Sequence, residues 1–341
     1  MKKIITSTDY FNPNGEGLQD EKLISGTPTG FIDMNHVRYG WSKNIYDLIM
    51  ANTWFPSEVD TTNELKNFKA LTQDEKDVYQ KTFAQLAFND VAQEEYLLDF
   101  RRLANNRMVK SVLTMQASQE VNHTSSYAVL LDAAGNSDEV FSLYKTDTAL
   151  ARKNDRISEQ FAQNINGSGA SDMLLSAMAS VNLEGIYFLS GFGYIYTLGD
   201  KVGGARDMIQ FIARDELNTH LPLFANIFKT IRAENNIDTK VIDRVHVMIS
   251  DAVEIELEYA HDILEGRSIA GLSKDIITDT VHNFANERLR TIGLSPIFPS
   301  TEKTTLQKLV AQNNKLNSIK TNFFEGNVAN YSKGTLDIDD F

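Results

Sequence analysis

Between Pro56 and Pro222 the chain contains no proline, so over that interval no fixed-φ residue interrupts a helix. Apolar residues recur at three- and four-residue spacings through 72–103, 106–134, 170–199 and 203–232, and again near 40–54, 139–165, 238–265, 274–292 and 304–320. No strand-like alternation runs over a comparable length. The pattern predicts an all-α fold built on a four-helix bundle with additional helices. The first 38 residues hold the turn-rich "NPNGEG" and "SGTPTG", and the end, "EGNVANYSKGTLDIDDF", is polar, acidic and without helical period. The expected organisation is an N-terminal arm over 1–38, one helical domain over 39–320 and a flexible C-terminal tail over 321–341.

At 341 residues and 42% hydrophobic content the chain can bury a large core. A formal net charge of −13 repels phosphate backbones and anionic membranes, so neither nucleic acid nor a membrane surface is an expected partner. With no cysteine there is no disulfide, thiolate site or thiol nucleophile, which restricts metal ligands to histidine and carboxylates. The start "MKKIITSTDYF" lacks the apolar run of a secretory signal, and the expected location is cytoplasmic.

Four apolar stretches carry acids where a core should be. In "SQEVNHTSSYAVLL" (118–131), Glu120, His123 and Tyr127 share one helix face, since position i+3 lies about 60° and i+7 about 20° from i. No other charged residue occurs from Leu113 to Leu131. The segment "MLLSAMASVNLEGIYFLSGFGYIYTLG" runs 27 residues from Met173 to Gly199 with Glu184 as its only charge, an acid placed too centrally for a membrane span. "AQLAFNDVAQEEY" places Asp90 after an apolar run, and "FIARDELNTH" sets Glu216 and His220 four apart. An unpaired buried carboxylate is costly. Taken singly, a Glu-x-x-His or a lone acid is usually a surface group or a satisfied core residue; Glu258-x-x-His261, crowded by Glu254, Glu256 and Asp262, reads as a solvated face of that kind. Four acids and two histidines spread over four helices instead suit a carboxylate-bridged dinuclear metal site inside a bundle, with oxygen-rich ligation favouring iron or manganese.

The motifs "ANTWFP" (51–56), "AQLAFND" (84–90), "QEVNHTSSY" (119–127), "NLEGIYFLSGF" (182–192), "IARDE" (212–216), "FANERLRTIGL" (284–294) and "NYSKGTLDIDDF" (330–341) resemble those of the radical-generating small (beta) subunit of class I ribonucleotide reductase, a ferritin-like family, from about residue 25 onward. By position, the resemblance implies Asp90, Glu120 and His123 as ligands of a first metal and Glu184, Glu216 and His220 as ligands of a second. It implies Tyr127 as the radical tyrosine and Phe188, Phe192 and Ile212 as its apolar shield. Trp54 and Asp215, with His123, match the inner part of a proton-coupled electron-transfer chain, and Tyr331 matches the tail tyrosine that hands the oxidising equivalent to the large subunit.

The implied activity is that of ribonucleoside-diphosphate reductase. A dinuclear site, two iron ions by default or two manganese ions as the alternative, activates an oxygen species and oxidises Tyr127, and the radical passes to the large catalytic subunit, which the ending "DIDDF" docks. A homodimer is implied, and an activating flavoprotein in the dimanganese subclass. Another ferritin-like carboxylate oxidase, or a noncatalytic metal-binding bundle, shares the acids without needing the tail or the Trp54–Asp215 pair. One departure stands out: the family pattern is Glu-x-x-His, whereas this chain has Glu216-Leu217-Asn218-Thr219-His220. The extra residue turns the imidazole by about 100° on a regular helix. Pro222 cannot donate to the Asn218 carbonyl, so a π-type bulge or kink is expected within 215–222.

Overall fold

Helices begin in this chain where a side chain can close the first turn. Thr72 Oγ1 accepts the Glu75 amide (3.3 Å) while the Glu75 carboxylate accepts the Thr72 amide (3.0 Å), a reciprocal box that opens the longest helix. Asn106 Oδ1 accepts the Val109 amide (3.1 Å) at the start of the next, which Gly135 ends at φ 73°. The computed structural model describes residues 7, 10–17, 19–167 and 169–318. Tyr331 and the tail expected over 321–341 lie outside them.

In chain order the helices are α1 (Gly40–Ala51), α2 (Glu64–Ala70), α3 (Gln73–Leu103), α4 (Arg107–Ala134), α5 (Ser137–Thr146), α6 (Thr148–Ile165), α7 (Ala170–Asn182), α8 (Phe188–Leu198), α9 (Gly203–Asp215), α10 (Leu221–Glu234), α11 (Thr239–Ile263), α12 (Lys274–Thr291) and α13 (Thr305–Ser318). No strand occurs among the described residues, only an isolated bridge between Glu16 and Pro28, and the all-α expectation holds. The core layer is α3 alongside α4, with α8 packed on α3 and α9, and α10 on α7. Around it, α1 covers α4, α5 and α6 cover α3, α11 covers α6 and α7, and α13 lies across α8 and α9. The long apolar run within Ala170–Glu234 is buried core. The N-terminal arm is tied down at residues 21–23: Asn106 Nδ2 donates to the Glu21 carbonyl, the Asn105 amide to the Leu23 carbonyl, and the Leu23 amide to Tyr39 Oη, each at 2.8 Å.

Two of the core rods contain a π turn. One, at Glu216–His220, joins α9 to α10, with the Leu221 amide reaching back to the Glu216 carbonyl. It is the bulge that the spacing and Pro222 require: Pro222 falls just after the wide turn, where a missing N–H costs no regular helical bond. The other, at Leu183–Tyr187, joins α7 to α8 and was not signalled by any proline or insertion. Its neighbours explain it. A Cβ on Gly185 would collide with the aliphatic stem of Arg288, and Gln85 Nε2 donates to the Tyr187 carbonyl (3.2 Å).

The 254–262 face is a correction. Glu254 and Glu258 do face solvent, Glu258 pairing with Arg152 and Arg156, but Glu256 is fully buried. Two residues on from Glu254, Glu256 sits about 200° around α11 and turns into the protein. There it meets Lys153 Nζ at 2.5 Å, beneath the rings of Tyr259 (4.7 Å) and Tyr187 (5.2 Å). Burial lowers the Lys153 pKa against the pull of Glu256 and raises that of Glu256 against the pull of Lys153. Lys153→Met leaves Glu256 buried without a counter-charge and is expected to destabilise the fold by about 3–5 kcal/mol. Lys153→Met with Glu256→Leu should recover most of that loss; urea unfolding of the two variants checks it.

Candidate metal centre

Each core rod contributes to one interior point. α3 brings Asp90, α4 brings Glu120 and His123 one turn apart, the π turn at Leu183–Tyr187 brings Glu184, and that at Glu216–His220 brings Glu216 and His220. All six side chains are fully buried. Ligand atoms of Asp90, Glu120, His123 and Glu216 lie within 4.8 Å of one another, as do those of Glu120, Glu184, Glu216 and His220. The six residues expected as two sets of three are thus brought together as two overlapping groups, with Glu120 and Glu216 common to both.

The shared carboxylates each turn one oxygen to each histidine. His123 Nδ1 lies 3.1 Å from Glu216 Oε1, 3.4 Å from Glu120 Oε2 and 3.5 Å from Asp90 Oδ1. His220 Nδ1 lies 2.8 Å from Glu216 Oε2, 3.3 Å from Glu120 Oε1 and 4.0 Å from Glu184 Oε1. The two rings are 5.7 Å apart. The arrangement is compatible with two cation positions that would share two carboxylates. Both Asp90 oxygens, Glu120 Oε2, Glu184 Oε2, Glu216 Oε1 and His123 Nδ1 are buried with no hydrogen-bond partner. Such atoms are costly unless a cation takes them up. Four carboxylates carry −4, which two divalent ions cancel, and ligation by oxygen with one imidazole per position fits iron or manganese.

Without cations, protons must do the balancing. Burial drives the Asp90 and Glu184 carboxyls well above the usual carboxylate range, and neighbouring acids push further in the same direction. Burial opposes charge on the imidazoles, yet the surrounding carboxylates outweigh it: His123 is held well above its ordinary value and His220 rises to about 10. Glu120 and Glu216, also penalised by burial, are kept low chiefly by His220.

Behind His123 stands a second layer. Asp215 Oδ2 is 3.3 Å from His123 Nε2 and accepts Trp54 Nε1–H at 2.8 Å. Trp54 stacks on Phe211 with ring centres 5.0 Å apart and lies 6.2 Å from the His123 ring. Asp215 is buried, so it is no surface acid, and Trp54, Asp215 and His123 form one continuous line. Tyr127 is fully buried, its hydroxyl without a partner and its ring edge-on to Phe83 at 5.8 Å. Burial, followed by the charges of Asp90 and Glu216, lifts its phenol pKa well above the ordinary value. Phe188 and Phe192 stack at 5.7 Å, and both are buried, as is Ile212.

Three glutamines escaped the sequence reading. Gln93 and Gln116 both donate to Glu184 Oε1, at 2.8 and 2.9 Å, which leaves Oε2 as the free oxygen; Gln116 also donates to Glu120 Oε1 at 3.1 Å. Gln119 Oε1 lies 3.0 Å from His220 Nε2. The available signal is spacing: Gln93 is three residues after Asp90, Gln116 four before Glu120 and Gln119 four before His123, each on the face of its helix that carries that residue.

Residues 31–305 match the family described as ribonucleotide reductase, small chain. The ribonucleoside-diphosphate reductase subunit beta of Treponema pallidum is 30% identical over 99% of this chain and 98% of its own length. That of Halalkalibacterium halodurans is 28% identical over 92% of each. Among solved structures, the ribonucleotide reductase R2 subunit from Clostridium botulinum superposes with a TM-score of 0.84 at 29% identity, covering 92% of this chain and 98% of that one.

Filling the two positions with divalent ions should expel the protons held by His123, His220, Asp90 and Glu184. Because protons compete for the same atoms, apparent metal affinity is expected to rise with pH. Manganese titrations of the metal-free protein at several pH values, with an indicator dye to count released protons, check the sign; an affinity that falls as pH rises contradicts it.

Proposed function

This chain belongs to the ribonucleotide reductase small-chain family, and from that premise we propose that it generates a tyrosyl radical for the large catalytic subunit with which it pairs. Asp90, Glu120 and His123 would hold one metal ion and Glu184, Glu216 and His220 the other, with Glu120 and Glu216 spanning both. Iron is the default pair. Manganese is the alternative, and an activating flavoprotein would accompany it. The bound ions, with an oxygen species, supply an oxidant able to take an electron from a phenol.

The observation that carries the reading is Tyr127: a fully buried phenol beside the carboxylate cluster whose hydroxyl has no hydrogen-bond partner. Its raised pKa disfavours a phenolate, so electron and proton leave together and the product is a neutral radical that needs no counter-charge in a dry pocket. Asp90, the acid acting most strongly on that hydroxyl, is the candidate proton acceptor. The apolar walls of Phe188, Phe192 and Ile212 would keep water and reductants out.

Trp54, Asp215 and His123 support an exit route, because the Trp54 N–H and the His123 ring share one Asp215 oxygen. Oxidising Trp54 would let its proton move to Asp215 Oδ2 over 2.8 Å. Tyr331 would continue the route to the large subunit, docked through the tail. A homodimer is also proposed. The outward face of α4 supports it, with Val121 and Val129 half exposed and no charged side chain on that face between Lys110 and Asp132.

Tyr127→Phe is expected to bind two metal ions as the parent does and to lose the organic radical signal in electron paramagnetic resonance after metal loading and oxidation. Reduction of nucleotides with the large subunit should vanish with it. A signal of unchanged shape and yield in that variant assigns the radical to another residue. Removing residues 325–341 is expected to spare metal content and the Tyr127 radical while suppressing turnover with the large subunit; undiminished turnover at limiting subunit concentration refutes docking through the tail.

A further inference from the structure

A histidine that offers one ring nitrogen to a metal carries its proton on the other, and the group that accepts that proton fixes both tautomer and ring angle. At His123 the acceptor is a carboxylate, Asp215. His220 presents Nδ1 to Glu216, Glu120 and Glu184, which leaves Nε2 on the far side of the ring. What stands there is Gln119 Oε1 at 3.0 Å, on a side chain at least nine-tenths buried. The need for this backing is greater at His220, because the ring arrives at the cluster from a π turn with an extra residue between it and Glu216.

We propose that Gln119 is a positioning residue for the second metal position: its amide oxygen accepts the Nε2–H of His220 and leaves Nδ1 as the nitrogen with the free lone pair. A neutral amide thus does for His220 what a carboxylate does for His123. α4 then acts at both positions, directly through Glu120 and His123 and indirectly through Gln119, one residue before Glu120. The inference rests on reading His220 as a ligand, and the experiment separates the two.

Metal-free full-length protein is titrated with Mn(II), free ion being counted by electron paramagnetic resonance, for the parent, Gln119→Met and Gln119→Glu. Methionine keeps the length and packing of glutamine but offers no comparable acceptor; glutamate keeps the acceptor. The expected result is two tightly bound ions in the parent, one tight ion and a second weakened about 10–100-fold in Gln119→Met, and parent-like binding in Gln119→Glu. Retention of the first ion in Gln119→Met shows that the bundle has folded. Parent-like binding of both ions by Gln119→Met, or a glutamate variant as weak as the methionine one, overturns the role of Gln119. A parent that holds only one tight ion removes the second position itself, and with it the reading on which this inference stands.

Discussion

Four carboxyl groups meet in the buried interior, where burial and their mutual repulsion both penalise charge, and the core of this protein is built around that meeting point. Each acid sits on a different core rod, so bringing the rods together and neutralising the charge are one process. The imidazoles of His123 and His220 supply partial relief, and the distances of 2.8–3.5 Å from their Nδ1 atoms to Glu120, Glu216 and Asp90 show how closely the charges converge. Protons or divalent cations must complete the balance, and two divalent cations would also take up the unpartnered oxygens of Asp90, Glu184 and Glu216. The flanking helices close over this cluster, and all six of its side chains are fully buried.

The layer outside the carboxylate–histidine cluster is not symmetric. Behind His123 there is a carboxyl group, Asp215, hydrogen-bonded to the indole of Trp54. Behind Glu184 and His220 there are only neutral amides, Gln93, Gln116 and Gln119. A carboxyl group in reach of both an indole N–H and an imidazole can take up a proton; an amide can orient its neighbour and do no more. On the proposed function, this asymmetry favours an electron exit on the His123 side, where Trp54 and Asp215 stand.

Much of this was legible in the residues. The proline-free interval and the three- and four-residue apolar spacing fix where helices run, and acids such as Glu120 and Glu184 are conspicuous because charge is absent for turns on either side. The Glu216–His220 spacing, set against Pro222, even locates a π turn. What escaped had weaker marks. Gln93, Gln116 and Gln119 carry no charge, so their burial breaks no compositional rule. The π turn at Leu183–Tyr187 packs at Gly185 against Arg288, which reaches it from α12, about a hundred residues along the chain. Glu256 was hidden by its acidic neighbours: local crowding suggested solvent, whereas its angular position on α11 points it at Lys153. The anchoring of the arm at Glu21 and Leu23 likewise depends on the turn between α3 and α4, a partner that local composition does not reveal.

A π turn is also a way to change the length of a packed helix. Adding a residue to a regular helix rotates everything beyond it by about 100° and would turn the buried face of α10 toward solvent. Confined to Glu216–His220, the extra residue is absorbed in one wide turn, and Phe224, Ile227, Phe228 and Ile231 still face the core. A chain can thus carry one more residue within the carboxylate–histidine cluster itself, where a length change would otherwise be least forgiven, without shifting the hydrophobic register of the rest of the bundle.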